Sequence, residues 1–400
     1  MTSDFFDPSD PVIVGDPYAH YLRWRESDPI HRAHTRSPIF PEQWFLFRHA
    51  DVAEAQRDPR LGRDWHRVTG VRSAAPALPE PLRRLVEMVD GWMLFVDPPL
   101  HGELRGAVSD AFRPRSLAPV EASLARRAET LLLETPGPGA TIDLLAGFAL
   151  PLTSHAIADL LGVPEPERPE LLRVIRGLEP VFGGSRSELR GAARAALELS
   201  ALFDRLIDTS DSGILARFAG TSGEARRRAI GTCIFLYGAG FATTVHGISN
   251  GALAFARHPD AWAALRDDES LLAAAVEEVL RFDPPIQRSQ RFALEPVELG
   301  GHRLPRGALI VPVLGSANRD PAVFPDPERF DPKRGEAARA HTTFGGGIHS
   351  CLGAWLARLE LRVAFAALAR RFPELLLADE TLEWREGAAR GLRRLPLVTP

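Results

Sequence analysis

Cysteine is scarce in this chain. Only Cys233 and Cys351 occur in 400 residues, too few for a disulfide framework, so a reducing, cytoplasmic setting is expected. Strong charge of one sign is missing too. The formal net charge is -4, which gives no overall pull toward nucleic acid or an anionic membrane. Arginine greatly outnumbers lysine, a trait of base composition and not of function. The segment Met1-Thr2-Ser3-Asp4-Phe5-Phe6-Asp7-Pro8 has no basic stretch and no apolar run, so no signal peptide is expected. Repeats, low-complexity tracts and obvious linkers are lacking. No C-x-x-C, H-E-x-x-H or C-x-x-C-H spacing occurs, which removes the common zinc, redox and c-type attachment readings. Gly345-Gly346-Gly347 is not followed by the Lys and Ser/Thr of a phosphate loop, and no G-x-G-x-x-G follows a clear strand. A built-in flavin or nicotinamide domain is therefore not expected, and electrons for any redox step must come from outside.

One stretch lacks charge over an unusual length. Between Arg228 and Arg257 there is no Asp, Glu, Lys or Arg. Length alone would allow a membrane span. The run also carries Thr232, Thr243, Thr244, His246, Ser249, Asn250 and several glycines, which fits a core helix better than a lipid-facing one.

Hydrophobic residues make up 45% and charged residues 25%, an ordinary balance for a soluble globular protein. Length allows two or three domains or one large core. Helical periodicity dominates over roughly 101–112, 118–134, 145–161, 168–179, 186–207, 222–257 and 269–282. Thr221-x-x-Glu224 reads as a capping box for the helix over 222–257, which at about 1.5 Å per residue would cross the molecule. Earlier, a helix is expected at Tyr18–Glu26, a strand at Trp44-Phe45-Leu46-Phe47 and a helix at Ala50–Arg57. Leu61 to Asp90 is polar, with prolines at 76, 79 and 81, and reads as a mobile loop containing a helix. Residues 285–312 alternate like strands and turns, and 320–339 are polar and proline-rich. A last helix is expected near 351–371, followed by strands at Leu382-Glu383-Trp384 and Leu395-Pro396-Leu397-Val398. The expected fold is mainly α with a small β-rich lobe (about 1–60, 285–315 and 380–400), and residues 1–400 are expected to form a single domain.

The most informative segment is Phe344-Gly345-Gly346-Gly347-Ile348-His349-Ser350-Cys351-Leu352-Gly353. Glycines allow turns that a Cβ would block and let the backbone lie flat against a bulky planar group. Cys351 stands just before an apolar helix, where unpaired N–H groups favour a thiolate. A thiolate delivered this way is a haem-iron ligand of the kind that promotes O–O cleavage. The segment resembles the haem-binding loop of the cytochrome P450 family, F-G-x-G-x-H-x-C-x-G, and every fixed position is matched.

Other segments match that family in order. Gly238-Ala239-Gly240-Phe241-Ala242-Thr243-Thr244 lies at the centre of the long helix and is similar to the family's oxygen-binding motif, A-G-x-[acid]-T-T. Small residues let a flat body approach the helix, and a Thr hydroxyl can bond the carbonyl four residues back and open it. The resemblance makes Thr243 the proton-relay alcohol, with Thr244 beside it. Ala242 replaces the family's acid, so relay must run through Thr243, water or substrate, or the chemistry must need fewer protons. Glu278-Val279-Leu280-Arg281 is an E-x-x-R pair on one helical face. The family joins this pair to an arginine of a P-E-R-F segment, here Arg329, to brace the cysteine loop. Ser316-Ala317-Asn318-Arg319-Asp320-Pro321 and Phe330-Asp331-Pro332 are further matches, and the similarity covers nearly the whole chain.

The resemblance implies haem b, iron protoporphyrin IX, with Cys351 as the axial metal ligand. Phe344, Gly345 and Gly353 shape the loop, and Ala239 lies against the opposite face. His101, Arg105, Arg291 and His349 match the positions that hold the propionates. The substrate pocket is expected to take Phe235, Ala239, Thr243, Ile286, Gln287 and Ala389, with the loop at 61–95 and the helices near 168–195. Gln287 offers one orienting hydrogen bond, and Arg288 would pair with an acidic substrate or else face outward. Ala388-Ala389 leaves room for a broad apolar substrate such as a terpenoid, steroid or polyketide. The implied activity is monooxygenation, inserting one oxygen atom from O2 with electrons from an external ferredoxin or flavodoxin and its NAD(P)H reductase. Arg113, Arg115 and Arg358 are candidates for the donor's docking patch. The alternatives are peroxide-driven, coupling or nitrating chemistry, suggested by Ala242, and a haem sensor or carrier without turnover. No nucleic-acid or membrane partner is expected, and the chain is expected to be a monomer in the cytoplasm.

Overall fold

The computed structural model describes residues 6–34, 42–70, 78–182, 188–385 and 389–399. Its spine is the helix Gly223–Arg257, 35 residues long and buried over most of its middle. Packed around it are Leu150–Leu161, Glu188–Thr209, Leu272–Phe282 and Ala354–Arg371, with Pro114–Leu133 lying on the first and last of these. Gly251 sets the closest crossing, since a Cβ there would lie 2.5 Å from Phe365 and 2.7 Å from Val279. One small residue thus joins the central helix to the helix after Cys351 and to the helix carrying Glu278. The central helix is long and apolar enough to cross a membrane by composition, yet its residues form the middle of the main apolar core.

The expected capping box is not formed. The helix starts after Ser222, which makes no side-chain cap bond. The Thr221 hydroxyl donates to the Phe218 carbonyl at 2.7 Å, and Glu224 pairs with Arg227 and Arg228 instead. Four other expected helices are divided: 101–112 ends in a 3-10 turn from Ser109, and 269–282 begins with one at Glu269–Leu271. Residues 145–149 form a π-type turn ahead of Leu150–Leu161, and Arg168–Ile175 passes into a 3-10 segment. A helix at Pro259–Asp267 was not expected; Pro259 at its first position and Asp260 in its first turn are its sequence signal.

The β-rich lobe is a five-stranded sheet in the order Ile30–His34, Glu42–Leu46, Leu309–Pro312, Arg291–Ala293, Leu61–Gly62. Only Glu42–Leu46 with Leu309–Pro312 is parallel, in the register Trp44 to Ile310. A hairpin joins Val297–Leu299 to His302–Leu304 through Gly300 and Gly301, with φ of 50° and 84°, the left-handed pair that tight hairpins need. The last strand, Pro396–Val398, pairs with Thr141–Asp143 and so returns to the helical side. Leu382-Glu383-Trp384 is not a strand, and only Trp384 forms a single bridge, to Leu392. The loop from Leu61 does contain helices, His66–Thr69 and Glu80–Asp90, while residues 71–77 lie outside the described set.

Candidate active site

The glycine bend is closed by one backbone bond, from the Cys351 N–H to the Phe344 carbonyl at 2.7 Å. Gly345 and Gly347 take φ of 69° and 65°, which non-glycine residues avoid. A Cβ on Gly347 would lie 2.9 Å from the Gln56 carbonyl, so the bend is pressed onto the helix His49–Arg57. Cys351 lies two residues ahead of Gly353, which caps Ala354–Arg371. Cys233 is buried, whereas Cys351 is exposed. Although reachable by solvent, the Cys351 sulfur is surrounded by protein, and that burial raises its thiol, against the Gly353 N–H, Arg105 and Arg358. The Gly353 N–H at the helix end favours the thiolate, as expected, and so do the two guanidiniums. A bound metal cation would deprotonate Cys351 outright.

Beneath the bend lies a buried ionic brace. Arg281 donates to both Glu278 oxygens, at 2.7 and 2.8 Å, and both side chains are fully inaccessible. The third member is Arg334 and not Arg329. Arg334 reaches Glu278 at 3.2 Å and bonds the carbonyls of Pro325, Asp326 and Arg329. Arg329 supplies only its carbonyl, to Arg281 and Arg334, and its side chain is exposed. Arg281 also bonds the carbonyls of Asn318 and Pro327, which ties the brace to the segment leading into Phe344. A second brace sits at the loop itself. Burial would raise the Glu277 carboxyl, but His341 and Arg358 hold it at about 2. The Arg358 guanidinium lies 4.5 Å over the Phe344 ring. This engagement removes Arg358 from the expected docking patch, and Arg113 is paired with Asp110.

On the other side of Cys351, the expected propionate residues come together. The His101 and His349 rings are 4.3 Å apart, and His349 Nε2 lies 3.2 Å from Asp97 Oδ1. Arg105 donates to the Ser350 carbonyl at 2.8 Å. Arg291 is 1% exposed, and its guanidinium donates to the neighbouring Gln290 carbonyl. Burial lowers His101 to about 4 and Arg291 to about 10. Burial would raise the Asp97 carboxyl, yet the His349 ring and the Arg63 and Asp64 N–H groups hold it at about 2. So many donors around one saturated carboxylate leave cationic N–H groups without acceptors. A planar group bearing carboxylates and a thiolate-seeking iron meets both needs, and the site therefore fits a haem.

The central helix passes over this site with a short, partly open stretch in the middle of its buried length. Among residues 231–255, only Gly238, Ala239, Gly240, Ala242 and Thr243 are half-buried. Thr243 donates to the Ala239 carbonyl at 2.8 Å and Thr244 to Gly240 at 3.1 Å, yet the helix stays α-helical and does not open. Phe235 packs on Trp92, ring centres 5.5 Å apart. Ile286 and Ala389 are brought together in one bridge. Gln287 is corrected as a pocket residue. Its amide donates to Tyr18 Oη at 3.2 Å and the Pro284 carbonyl at 2.8 Å, and a Cβ on Gly315 would meet its oxygen. Arg288 donates to the Pro8 carbonyl, so it is committed to the N-terminal segment. Ala388 and residues 183–187 lie outside the described residues.

Sequence reasoning missed Glu360, on the helix after Cys351. It is 1% exposed, its Oε1 has no partner, and the Thr244 hydroxyl faces it. Burial pushes its carboxyl well above the ordinary value of 4.5. A carboxyl group whose burial favours the protonated form thus stands behind the threonine pair, in a chain that has Ala242 where an acid was expected. No local pattern marks it, because its burial comes from helix packing far along the chain.

Two outcomes are expected. Arg334→Ala removes one partner of a buried carboxylate and lowers stability in urea unfolding by about 2–4 kcal/mol, whereas Arg329→Ala stays within about 0.5 kcal/mol. For Glu360, the folded state holds a proton that the unfolded chain releases above its ordinary range. Stability then falls as pH rises through that window, by up to about 1.4 kcal/mol per pH unit. Glu360→Gln removes this slope, so its advantage over wild type grows between pH 5 and 8; a constant difference would refute a protonated Glu360.

Known proteins share this architecture. The family model described as cytochrome P450 matches residues 226–384. The cytochrome P450 monooxygenase PikC of Streptomyces venezuelae is 36% identical over 96% of this chain and 91% of its own. The vitamin D(3) 25-hydroxylase of Pseudonocardia autotrophica is also 36% identical, over 96% of this chain and 94% of its own. The crystal structure of CalO2 superposes with a TM-score of 0.89 at 32% identity, covering 99% of both chains. These relatives favour monooxygenation over the peroxide, coupling, nitrating or non-turnover alternatives. The chain belongs to the cytochrome P450 family: it is a haem-thiolate monooxygenase that takes electrons from external redox partners and acts on hydrophobic molecules.

Proposed function

We propose that Cys351 is the axial ligand of haem b, and that the enzyme inserts one oxygen atom from O2 into a broad apolar natural product of the polyketide, steroid or terpenoid kind. The observation that supports this reading is the pairing of an exposed thiol, at the tip of a doubly braced bend, with a carboxylate-seeking cationic set beside it. His101, Arg105, Arg291 and His349 would hold the propionates. The bound haem supplies O2 activation and one-electron chemistry.

The protein's own residues would do three things. Phe344, Gly345 and the Glu278–Arg281–Arg334 brace fix the height of the sulfur. Thr243 and Thr244 present hydroxyls on the central helix, and Glu360 stands behind Thr244 as a proton reservoir in place of the acid missing at Ala242. Phe235, Ala239, Ile286 and Ala389 line an apolar space that excludes water and orients the substrate by shape. Support for a large apolar substrate comes from relatives named for vitamin D(3) and for polyketide biosynthesis.

For the electron donor, the candidate surface is apolar at its centre. Ile348 and Trp355 flank Cys351 in sequence and are 53% and 58% exposed. Arg113 and Arg115 would form only a rim, which shapes the on-rate more than the affinity. A ferredoxin or flavodoxin with its NAD(P)H reductase fits this surface. We further take residues 1–400 as one catalytic domain, acting as a cytoplasmic monomer.

Purified enzyme supplied with a ferredoxin, its reductase, NADPH and O2 is expected to oxygenate members of a polyketide and steroid panel. Peroxide without the redox partners is expected to give little product; the reverse pattern would overturn the reading. Trp355→Ala is expected to slow reduction by the ferredoxin at least fivefold, leave the ferrous carbon-monoxide spectrum unchanged, and keep the rate's response to salt small.

A further inference from the structure

The charges around Asp97 do not balance, and the residue responsible is one that no family motif picks out. Arg63 leads from the edge strand Leu61–Gly62. Its main-chain N–H is spent on Asp97, donating to Oδ1 at 2.9 Å. Gly62 makes this approach possible, since a Cβ there would stand 2.3 Å from Asp97 Oδ2. Among the described residues the Arg63 Nε has no hydrogen-bond partner and is inaccessible to solvent, while the residue as a whole is half-buried. Burial and the nearby Arg291 both act against its charge, and only Asp97 acts for it. It is also felt by His101 and His349. An inaccessible guanidinium nitrogen without an acceptor, beside a second guanidinium, is costly.

A count of charge gives the reason. Arg63, Arg105 and Arg291 form one electrostatic neighbourhood with His101 and His349, and Asp97 is the carboxylate among them. Three guanidiniums against one carboxylate leave an excess of two positive charges, and the imidazoles can only add to it. Arg67, 3.6 Å from Asp97, is half exposed, so water screens it. Asp97 is moreover saturated by two main-chain N–H groups and His349. What would satisfy the set is two further carboxylates with free lone pairs, which is what the haem propionates bring. We propose that Arg63 is a third guanidinium ligand of the haem propionates, so that the site neutralises both of them with arginine alone. This rests on the haem-thiolate reading of Cys351. Arg63 is placed by the Gly62–Asp97 contact and not by any helix face, which is why it escapes a motif search.

The test uses holoenzyme and two readouts. Haem release to excess apomyoglobin measures retention, and the propionate bending modes in the ferric resonance Raman spectrum report hydrogen bonding at the carboxylates. Arg63→Met is expected to speed release by about tenfold to a hundredfold, the loss of a charge-assisted bond to a desolvated carboxylate, and to shift a propionate mode. Arg63→Lys, which keeps the charge and loses the fork, should fall between. Release within twofold of wild type, or faster release with unmoved propionate modes, would overturn the proposal, the second outcome marking a merely structural arginine. Should Arg63→Met fail to hold haem, the same two readouts on Arg63→Lys decide. Wild-type protein without thiolate-ligated haem would sink the reading of Cys351 instead, and the two failures are distinct.

Discussion

Everything in this molecule turns on holding one sulfur atom at a fixed height below a long helix. The Cys351 N–H bond to the Phe344 carbonyl closes the bend that carries it. Such a bend of glycines would wander if left alone, since glycine loses more freedom on ordering than any other residue. The restraint comes from beneath. Glu278, Arg281 and Arg334 are desolvated together and bond five backbone carbonyls of the approaching segment. Glu277, His341 and Arg358 then pin Phe344 from the side. Buried ion pairs are a poor source of net stability but a good way to demand one geometry, because any slippage strands a charge. Here that property serves the placement of a ligand.

The opposite side of the site works by imbalance. The protein gathers more guanidinium than it can satisfy around Asp97, and Arg291 is among its least accessible side chains. An arrangement that is unfavourable by itself becomes favourable with a dianionic partner, so the cost is recovered as affinity and selectivity for that partner. Cys351 follows the same logic: burial acts against its thiolate, the Gly353 N–H, Arg105 and Arg358 act for it, and a bound metal cation would add to that side. Fold and cofactor are thus coupled through electrostatics as well as shape.

Reading the chain alone went furthest where chemistry is local. The glycine bend, the threonine pair, the long central helix and the strand Glu42–Leu46 carry short-range signatures, and the helix and strand emerged within a few residues of their expected bounds. It went astray where the answer is tertiary. The P-E-R-F pattern points to Arg329, but the chain turns at Asp326, with φ of 50°, and Arg334 reaches the buried carboxylate. Gln287 is next to Ile286 in sequence, yet period-two alternation sends its amide toward Tyr18. Arg63 and Glu360 matter because of what packs over them, which no window of neighbours reveals. The split helices at 145–149 and 176–182 show the same limit, since a π or 3-10 turn leaves apolar periodicity almost unchanged.

The central claim concerns a single bond, between the sulfur of Cys351 and a haem iron. The most direct measurement is the ferrous carbon-monoxide absorption spectrum of purified wild type beside Cys351→Ser, both expressed with ample haem precursor. The account predicts the red-shifted Soret band of a thiolate-ligated haem in wild type and its loss in the serine variant. An identical spectrum from the two proteins, or a wild type that binds no haem at all, would contradict it.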